Sequence, residues 1–517
     1  MNFMNAIKET INNQTSMTEN GAIGYRTTGK ELLDLNFSVA SLRHLTDVEI
    51  AQRFRKAFCE DKILAMKWLF YARDVRQGLG ERRLFRVILA DLVNSNPEMV
   101  IPLINLIPEY GRFDDLWCLL DNDESATIVC QIVNDQLVQD WKNMIDSKPI
   151  SLLAKWMPSC NTSSETTKAY AKKLRKYLMM SERDYRKALS QMRHYLDVVE
   201  VKMSDKKWSE IKYEAVPSRA NLIYNSAFLR NDEERRRDFL GKLEKGETKI
   251  NASTLFPHDI VHKYTRRSPK DATVEALWKA LPDMVKGCGN TIVVADGSGS
   301  MRCNVDPKSN VTALDVANAL AIYFAEHSSG QFKDKYITFS ENPQFVDFSK
   351  CNSLHAKLQM AFAHNEVANT NIEKVFDMIL NTAVRNHMSQ EDLPANILII
   401  SDMEFDGCAS CGNNQVVTDR WGWSYSARTA PTKTLFDVIA QRYADAGYKM
   451  PRLVFWNVNS RTCTIPVKEN DLGVALVSGF SVNVVKMVMS GKTDPFACLL
   501  ETLNAERYDP IEVALKG

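Results

Sequence analysis

The sequence predicts a chain in two parts: an all-α, helical-repeat half over residues 1–285 and a doubly wound, Rossmann-like α/β domain over residues 286–517. Three observations carry this. Up to residue 285, amphipathic stretches follow one another with short polar breaks and few strand signals. Beyond it, short apolar runs alternate with helical patterns, as a parallel sheet with crossover helices requires. Within that second part, Thr291-Ile292-Val293-Val294-Ala295 reads as a buried strand and stops in Asp296-Gly297-Ser298-Gly299-Ser300.

The helical half offers no sharp internal boundary from sequence alone. In the second half, strands are expected at 291–295, 335–340, 396–401, 452–458 and 473–478, because each is a short apolar run of the length a buried strand needs. Helices are expected at 312–327, 353–363, 371–388, 432–447 and 481–490 from their 3.6-residue periodicity. The tail from Thr493 to Gly517 reads as helical and is expected to pack back on the body.

The composition is that of a globular protein, with 45% hydrophobic and 25% charged residues over 517 positions and a net charge of +1. No stretch approaches membrane-spanning length. The first ten residues lack the apolar core of a signal peptide. Eleven cysteines, an odd number scattered through apolar and helical contexts, favour reduced thiols and a cytoplasmic setting.

At the end of the first strand, Asp296, Ser298 and Ser300 are hard oxygen donors, which suit Mg²⁺ far better than Zn²⁺. Thr370 opens the helical pattern from Ile372, and Asp402 follows the buried run Asn396–Ser401. Three strand-to-helix junctions thus supply Asp/Ser/Ser, Thr and Asp, at the sheet edge where open α/β folds bind ligands. This order resembles the metal-ion-dependent adhesion site of von Willebrand factor A domains. The resemblance implies that Ser298, Ser300 and Thr370 ligate Mg²⁺ directly, that Asp296 and Asp402 act through bound water, and that an open position accepts an acidic protein partner. The sequence departs from the common pattern at Ala368, where many members carry Gly. Glu404 and Asp406 follow closely enough to adjust metal affinity, and a polar insertion from there to about Pro431, holding Cys408, Cys411, Trp421, Trp423 and Tyr425, reads as a flexible lid or a partner-contact loop at the same edge.

Charge is uneven. Residues 151–270 carry 26 Lys and Arg against 15 Asp and Glu. The basic clusters include Lys172, Lys173, Arg175, Lys176, Arg186 and Lys187, with Tyr170, Tyr177, Tyr185, Tyr195, Trp208, Tyr213 and Tyr224 interleaved. Such a mixture suits phosphates and stacked bases; it also describes solvated helix faces over an aromatic core. Arg73, Arg76, Arg82 and Arg83 flank Gly78-Leu79-Gly80, a turn able either to gather amides and guanidiniums on a phosphate or to join two helices with its arginines paired to Asp74 and Glu81. Lys155 beside Trp156 is a phosphate-and-stacking pair or a snorkelling lysine over a buried ring.

The motifs Thr18-Glu19-Asn20-Gly21-Ala22, Arg73–Arg83, Pro108–Trp117, Leu153–Pro158, Tyr185–Ser190, Val216–Ala220 and Phe256–Ile260 resemble a domain-of-unknown-function family of plants, bacteria and large viruses. That family joins a helical half to a von Willebrand A half, and the likeness runs over nearly the whole chain. More distantly, the layout is similar to the Ro autoantigen (TROVE) proteins, whose helical, HEAT-like ring binds structured noncoding RNA. These resemblances imply a non-enzymatic scaffold, with RNA on the helical half and Mg²⁺-dependent recruitment of an acidic protein; an adaptor without an RNA role is the alternative. Enzyme motifs are missing: there is no Gly-x-Ser-x-Gly, no phosphate-binding Gly-x-x-x-x-Gly-Lys, and His258 with His262 lacks the glutamate of a zinc-protease helix.

Overall fold

The computed structural model describes residues 15–264, 267–285, 290–339, 342–365, 371–407, 414–418, 424–428, 434–468, 472–485, 487 and 493–517. They form two compact units that interleave along the sequence. One takes the chain up to Leu45, then Phe256–Asp271 and Asp283–Thr502; the other takes Thr46–Leu255, Ala272–Pro282 and Leu503–Gly517. No helix among the described residues is long and apolar enough to cross a membrane.

The first unit is α/β. Its strands in chain order are β1 (Thr15–Met17), β2 (Ile23–Tyr25), β3 (Thr291–Asp296), β4 (Lys335–Phe339), β5 (Gln344–Asp347), β6 (Asn396–Ser401), β7 (Asn414–Thr418), β8 (Ser424–Arg428), β9 (Arg452–Asn457) and β10 (Val474–Ser478). Six form the main sheet in the order β10-β9-β6-β3-β4-β5. All neighbours are parallel except β4 and β5. This is the doubly wound order, and it reverses direction between β3 and β6, the point where such sheets bind ligands. Every residue of β3 and β9 is buried, which is why these strands read as continuous apolar runs.

The five expected strands are present with small shifts at their ends. The sequence reading passed over β5, a four-residue antiparallel edge strand with Phe345 exposed, because it has neither the length nor the apolar content of its neighbours. Helices follow the expected pattern at Ala313–His327, Leu354–His364, Glu373–Arg385 and Leu435–Asp445. Thr312 and Asp315 form a capping box at the first of these, and Thr434 with Asp437 does the same at the last. Where a helix is expected at 481–490, a 3-10 turn at Val482–Val484 is followed by α-helical positions at Val485 and Met487. The insertion after Asp402 includes the antiparallel hairpin β7–β8; Cys408, Cys411, Trp421 and Trp423 lie outside the described residues.

The N-terminal stretch belongs to this unit by specific contacts. Tyr25 and Ile465 exchange two backbone hydrogen bonds of 2.8 Å. A Cβ on Gly24 would lie 2.5 Å from the Ile465 oxygen, so only glycine permits that approach. Asn457 donates to the Phe37 carbonyl at 2.9 Å, and the Ala40 amide donates to Ser478 Oγ at 3.0 Å.

The second unit is helical, from Asp47–Glu60 and Lys62–Arg73 through Asp123–Ile145, Glu165–Tyr177 and Glu182–Tyr195 to Glu233–Glu244. The tail is helical as expected, at Pro495–Leu503 and Asp509–Lys516. Its last part packs in the helical unit: Arg507 pairs with buried Asp74, Tyr508 stacks on Tyr110 with centroids 5.9 Å apart, and Glu512 meets buried Lys67 at 2.6 Å.

Candidate metal and anion sites

Asp296 ends β3 and Asp402 follows β6, so adjacent parallel strands bring the two carboxylates to one edge of the sheet. Both residues are 1% exposed, as is Ser298. The loop after β3 folds by Asx-type bonding: the Ser298 amide donates to Asp296 Oδ1 at 2.9 Å. Ser298 and Ser300 place their hydroxyl oxygens 3.0 Å apart. Ser401, which the sequence reading did not single out, donates to Asp296 Oδ2 at 2.6 Å. A Cβ on Gly297 would meet Thr338 Oγ1 at 2.9 Å, so the loop lies tight against β4.

The electrostatics are unbalanced. Burial and the nearby Asp402 carboxylate push the Asp296 carboxyl up to about 7, against the donations from Ser401 and Ser298. Burial also raises Asp402, opposed by the Ser300 hydroxyl and by Arg461. Arg461 is the cation that meets this pair; its guanidinium lies 3.3 Å from Asp402 Oδ2 and 3.1 Å from Glu19 Oε2. A pair of buried carboxylates with clustered hydroxyls and one half-exposed guanidinium fits a hard divalent cation. Thr370, the remaining expected ligand, lies outside the described residues. Among the described residues no three His, Cys, Asp or Glu side chains gather as a metal-binding group, so this donor set is of the carboxylate–hydroxyl kind.

Glu404 adds its charge to those that raise Asp402, and it is held by bonds of its own. Its Oε1 accepts from the amides of Arg461 (2.8 Å) and Thr462 (2.9 Å), and its Oε2 accepts from the Glu19 amide at 2.9 Å. Asn20 donates to the Glu404 carbonyl at 2.7 Å, and Thr18 to the Phe405 carbonyl at 2.6 Å. The N-terminal Thr18–Ala22 motif thus fastens the loop that follows Asp402. His258 and His262 have separate roles as well: the first packs edge-on to Phe480, and the second bonds Asp315 at 3.0 Å.

In the helical unit the expected basic residues divide. Arg73 is buried and gives two bonds to Asp115 Oδ2, at 2.8 and 2.7 Å. Arg86, absent from the expected set, takes Asp115 Oδ1 at 2.7 Å. Burial opposes ionisation of Asp115, but Arg73 and Arg86 hold its carboxyl below the usual range. The turn at Gly78 does not form an amide cradle, because Gly78, Leu79 and Glu81 donate to the carbonyls of Asp74, Tyr71 and Ala72. Asp74 takes Arg507 rather than the turn's arginine side chains. Arg76 donates to the Glu109 carbonyl and Arg83 to Asp47, both at 2.6 Å, while Lys173 meets Asp121 at 2.9 Å. Arg82, Lys172, Lys176, Arg186 and Lys187 are exposed; Lys155 and Arg175 are half-buried.

Arg186 and Lys187 line an open groove of about 1320 Å³ with Arg183, His194, Tyr195 and Trp141. Of the aromatics expected to stack, Tyr185 and Tyr213 are buried; Tyr185 donates to the Pro158 carbonyl at 2.9 Å and Tyr213 packs on Phe228 and Phe239. Tyr195 remains at the surface.

Comparison with known proteins divides the chain near residue 290, not along the two structural units. Residues 290–506 match the family described as Domain of unknown function (DUF7788), and residues 18–109 and 126–290 match Domain of unknown function (DUF2828). An uncharacterized protein of Acanthamoeba polyphaga mimivirus, L728, is 29% identical over 535 residues, covering 96% of this chain and 88% of the viral protein. The two domain-of-unknown-function models thus match separate stretches, and the similarity to the viral protein runs over both.

Proposed function

We propose that the chain is a non-enzymatic scaffold whose α/β unit is a von Willebrand factor A-like domain that recruits an acidic protein group through Mg²⁺. The observation that carries this is the meeting of Asp296, Ser298, Ser300 and Asp402 at the β3–β6 reversal, with more buried carboxylate than Arg461 balances. Ser298 and Ser300 would hold the ion, Asp296 and Asp402 would act through its water, and Thr370 would complete the set. Bound there, Mg²⁺ supplies an open coordination position for a partner's carboxylate. The chain's own residues fix the hydroxyls and exclude bulk water from the acids. Calorimetric titration of the purified chain with MgCl₂ tests the reading. Saturable binding that Ser298→Ala and Asp402→Ala each abolish is the expected result; undiminished binding in either variant overturns it.

A second surface belongs to the same proposal. The groove holding Arg183, Arg186, Lys187 and His194 beside Trp141 and Tyr195 combines backbone-neutralising charge with exposed rings. It supports RNA binding in the manner of the TROVE proteins. Filter binding of structured RNA should weaken with salt and persist in EDTA. Reversing Arg186 and Lys187 to Glu should lower the slope of log affinity against log salt by about 2. RNA affinity unchanged by that double reversal leaves the metal-dependent adaptor as the function.

A further inference from the structure

A second cleft in the helical unit, of about 830 Å³, is lined by Arg86, Asp114, Lys155, Trp156, Ser164 and Tyr170 among others. Its charge is lopsided. Asp115 is claimed by Arg73 and Arg86, and Asp114 by Arg86 and Arg112, both at 2.8 Å. Three arginines therefore already serve two aspartates. Arg82 adds a guanidinium that is exposed to solvent. Arg82 is the N-cap of the helix that carries Arg86, its carbonyl accepting from the Arg86 amide at 3.1 Å, which places it beside the cluster. Lys155 adds a fifth cation, its ammonium 5.7 Å from the centroid of the Trp156 ring. Asp121, at the Tyr170 side, is taken up by Lys173 and Tyr170.

The cleft is also lined by the start of the helix Glu165–Tyr177, whose N-cap Ser164 accepts from the Thr167 amide at 3.3 Å. Thr162, Thr166 and Thr167 also line the cleft. Surplus cationic charge sets the preference for an anion, and the helix start adds amides of the right polarity. Trp156 and Tyr170 supply flat surfaces. Arg112 stacks on Trp156 at 3.9 Å and so holds the ring in place.

We infer that this cleft binds a phosphate-bearing nucleotide unit, its phosphate beside Lys155 and Arg86 and its base against Trp156 and Tyr170. The inference goes beyond the RNA groove, since neither Arg186 nor Lys187 contributes to it. The test uses the full chain, tryptophan fluorescence and three probes: AMP, adenosine and the dinucleotide pApA. AMP is expected to bind saturably and adenosine at least roughly tenfold more weakly, as a charge-assisted phosphate contact implies. Lys155→Ala and, separately, Arg82→Ala should each weaken AMP several-fold with unchanged melting temperatures. Tighter binding of pApA than of AMP assigns the phosphate to a strand, and the reverse assigns it to a free nucleotide. Equal affinity for AMP and adenosine, AMP binding unaffected by Lys155→Ala, or no binding of AMP or pApA up to about millimolar concentration overturns the inference. Glu reversal of Arg186 and Lys187 should leave AMP binding intact, so failure of the groove and failure of the cleft are read separately.

Discussion

Two buried aspartates, one in each unit, carry opposite electrostatics. Asp115 of the helical unit is fully buried and answered by Arg73, Arg86 and the Arg112 amide at 2.9 Å. Asp296 of the α/β unit is equally hidden, but hydroxyls answer it and a second carboxylate neighbours it. The first carboxyl falls below its ordinary value and the second rises above it. The difference teaches what each is for. A carboxylate matched by guanidiniums holds helices together; one left with hydroxyls and a like charge is the place where the proposed function puts a cation.

The largest expected effect lies on the matched side. Asp115→Asn leaves Arg73 buried beside a neutral amide and should cost about 3–5 kcal/mol of stability in denaturant unfolding. The sign with pH follows from the lowered value. Asp115's contribution is complete above the ordinary 3.8 and is lost as pH falls through the folded value. Acid should therefore destabilise the parent more than the Asn variant; equal acid sensitivity would sink the assignment. Next comes Asp296→Asn, which should behave in the opposite way. In EDTA it should leave the melting temperature unchanged or raise it, because a like-charge contact is removed. In Mg²⁺ it should forfeit the stabilisation of the parent, about 2.7 kcal/mol at a hundredfold excess over Kd. Strong destabilisation in EDTA would put Asp296 in Asp115's class and end the contrast. The smallest effect sharpens it further. Arg461→Ala withdraws the cation that competes for Asp402 and should tighten Mg²⁺ binding by roughly fivefold in calorimetry; weaker binding would show that Arg461 supports the site instead of opposing it.

How much of this was legible in the sequence depends on the reach of each signal. β3 and β6 were visible because full burial makes them apolar along their whole length, and Asp296, Ser298 and Ser300 stood out because they interrupt that run within five residues. Asp402 was found by the same logic. Arg461 was not, since it reaches Asp402 across 59 residues from a loop with no local signature. Ser401 was hidden as the last residue of a strand, where a serine reads as an ordinary terminus. In the helical half, the Arg73–Arg83 motif was seen but its chemistry was ambiguous. A guanidinium looks the same in sequence whether it faces a phosphate or Asp115, and the partner lies 42 residues away. The docking of Thr18–Ala22 beside Glu404 spans almost 400 residues, beyond any periodicity.

That interleaving has a consequence for synthesis on the ribosome. Leu32, Leu33, Leu35, Phe37 and Val39 are all buried in the α/β unit, yet β10, whose Ser478 binds the amide of Ala40, is made more than 430 residues later. At about 5–20 residues per second, this apolar segment waits roughly 20–90 s before its sheet is available. The helical unit waits in turn for Arg507 and Tyr508, which complete the pocket around Asp74. Each nascent unit thus stays open until its own last segment is made, and during that interval the emerging chain presents a hydrophobic segment for chaperones to shield.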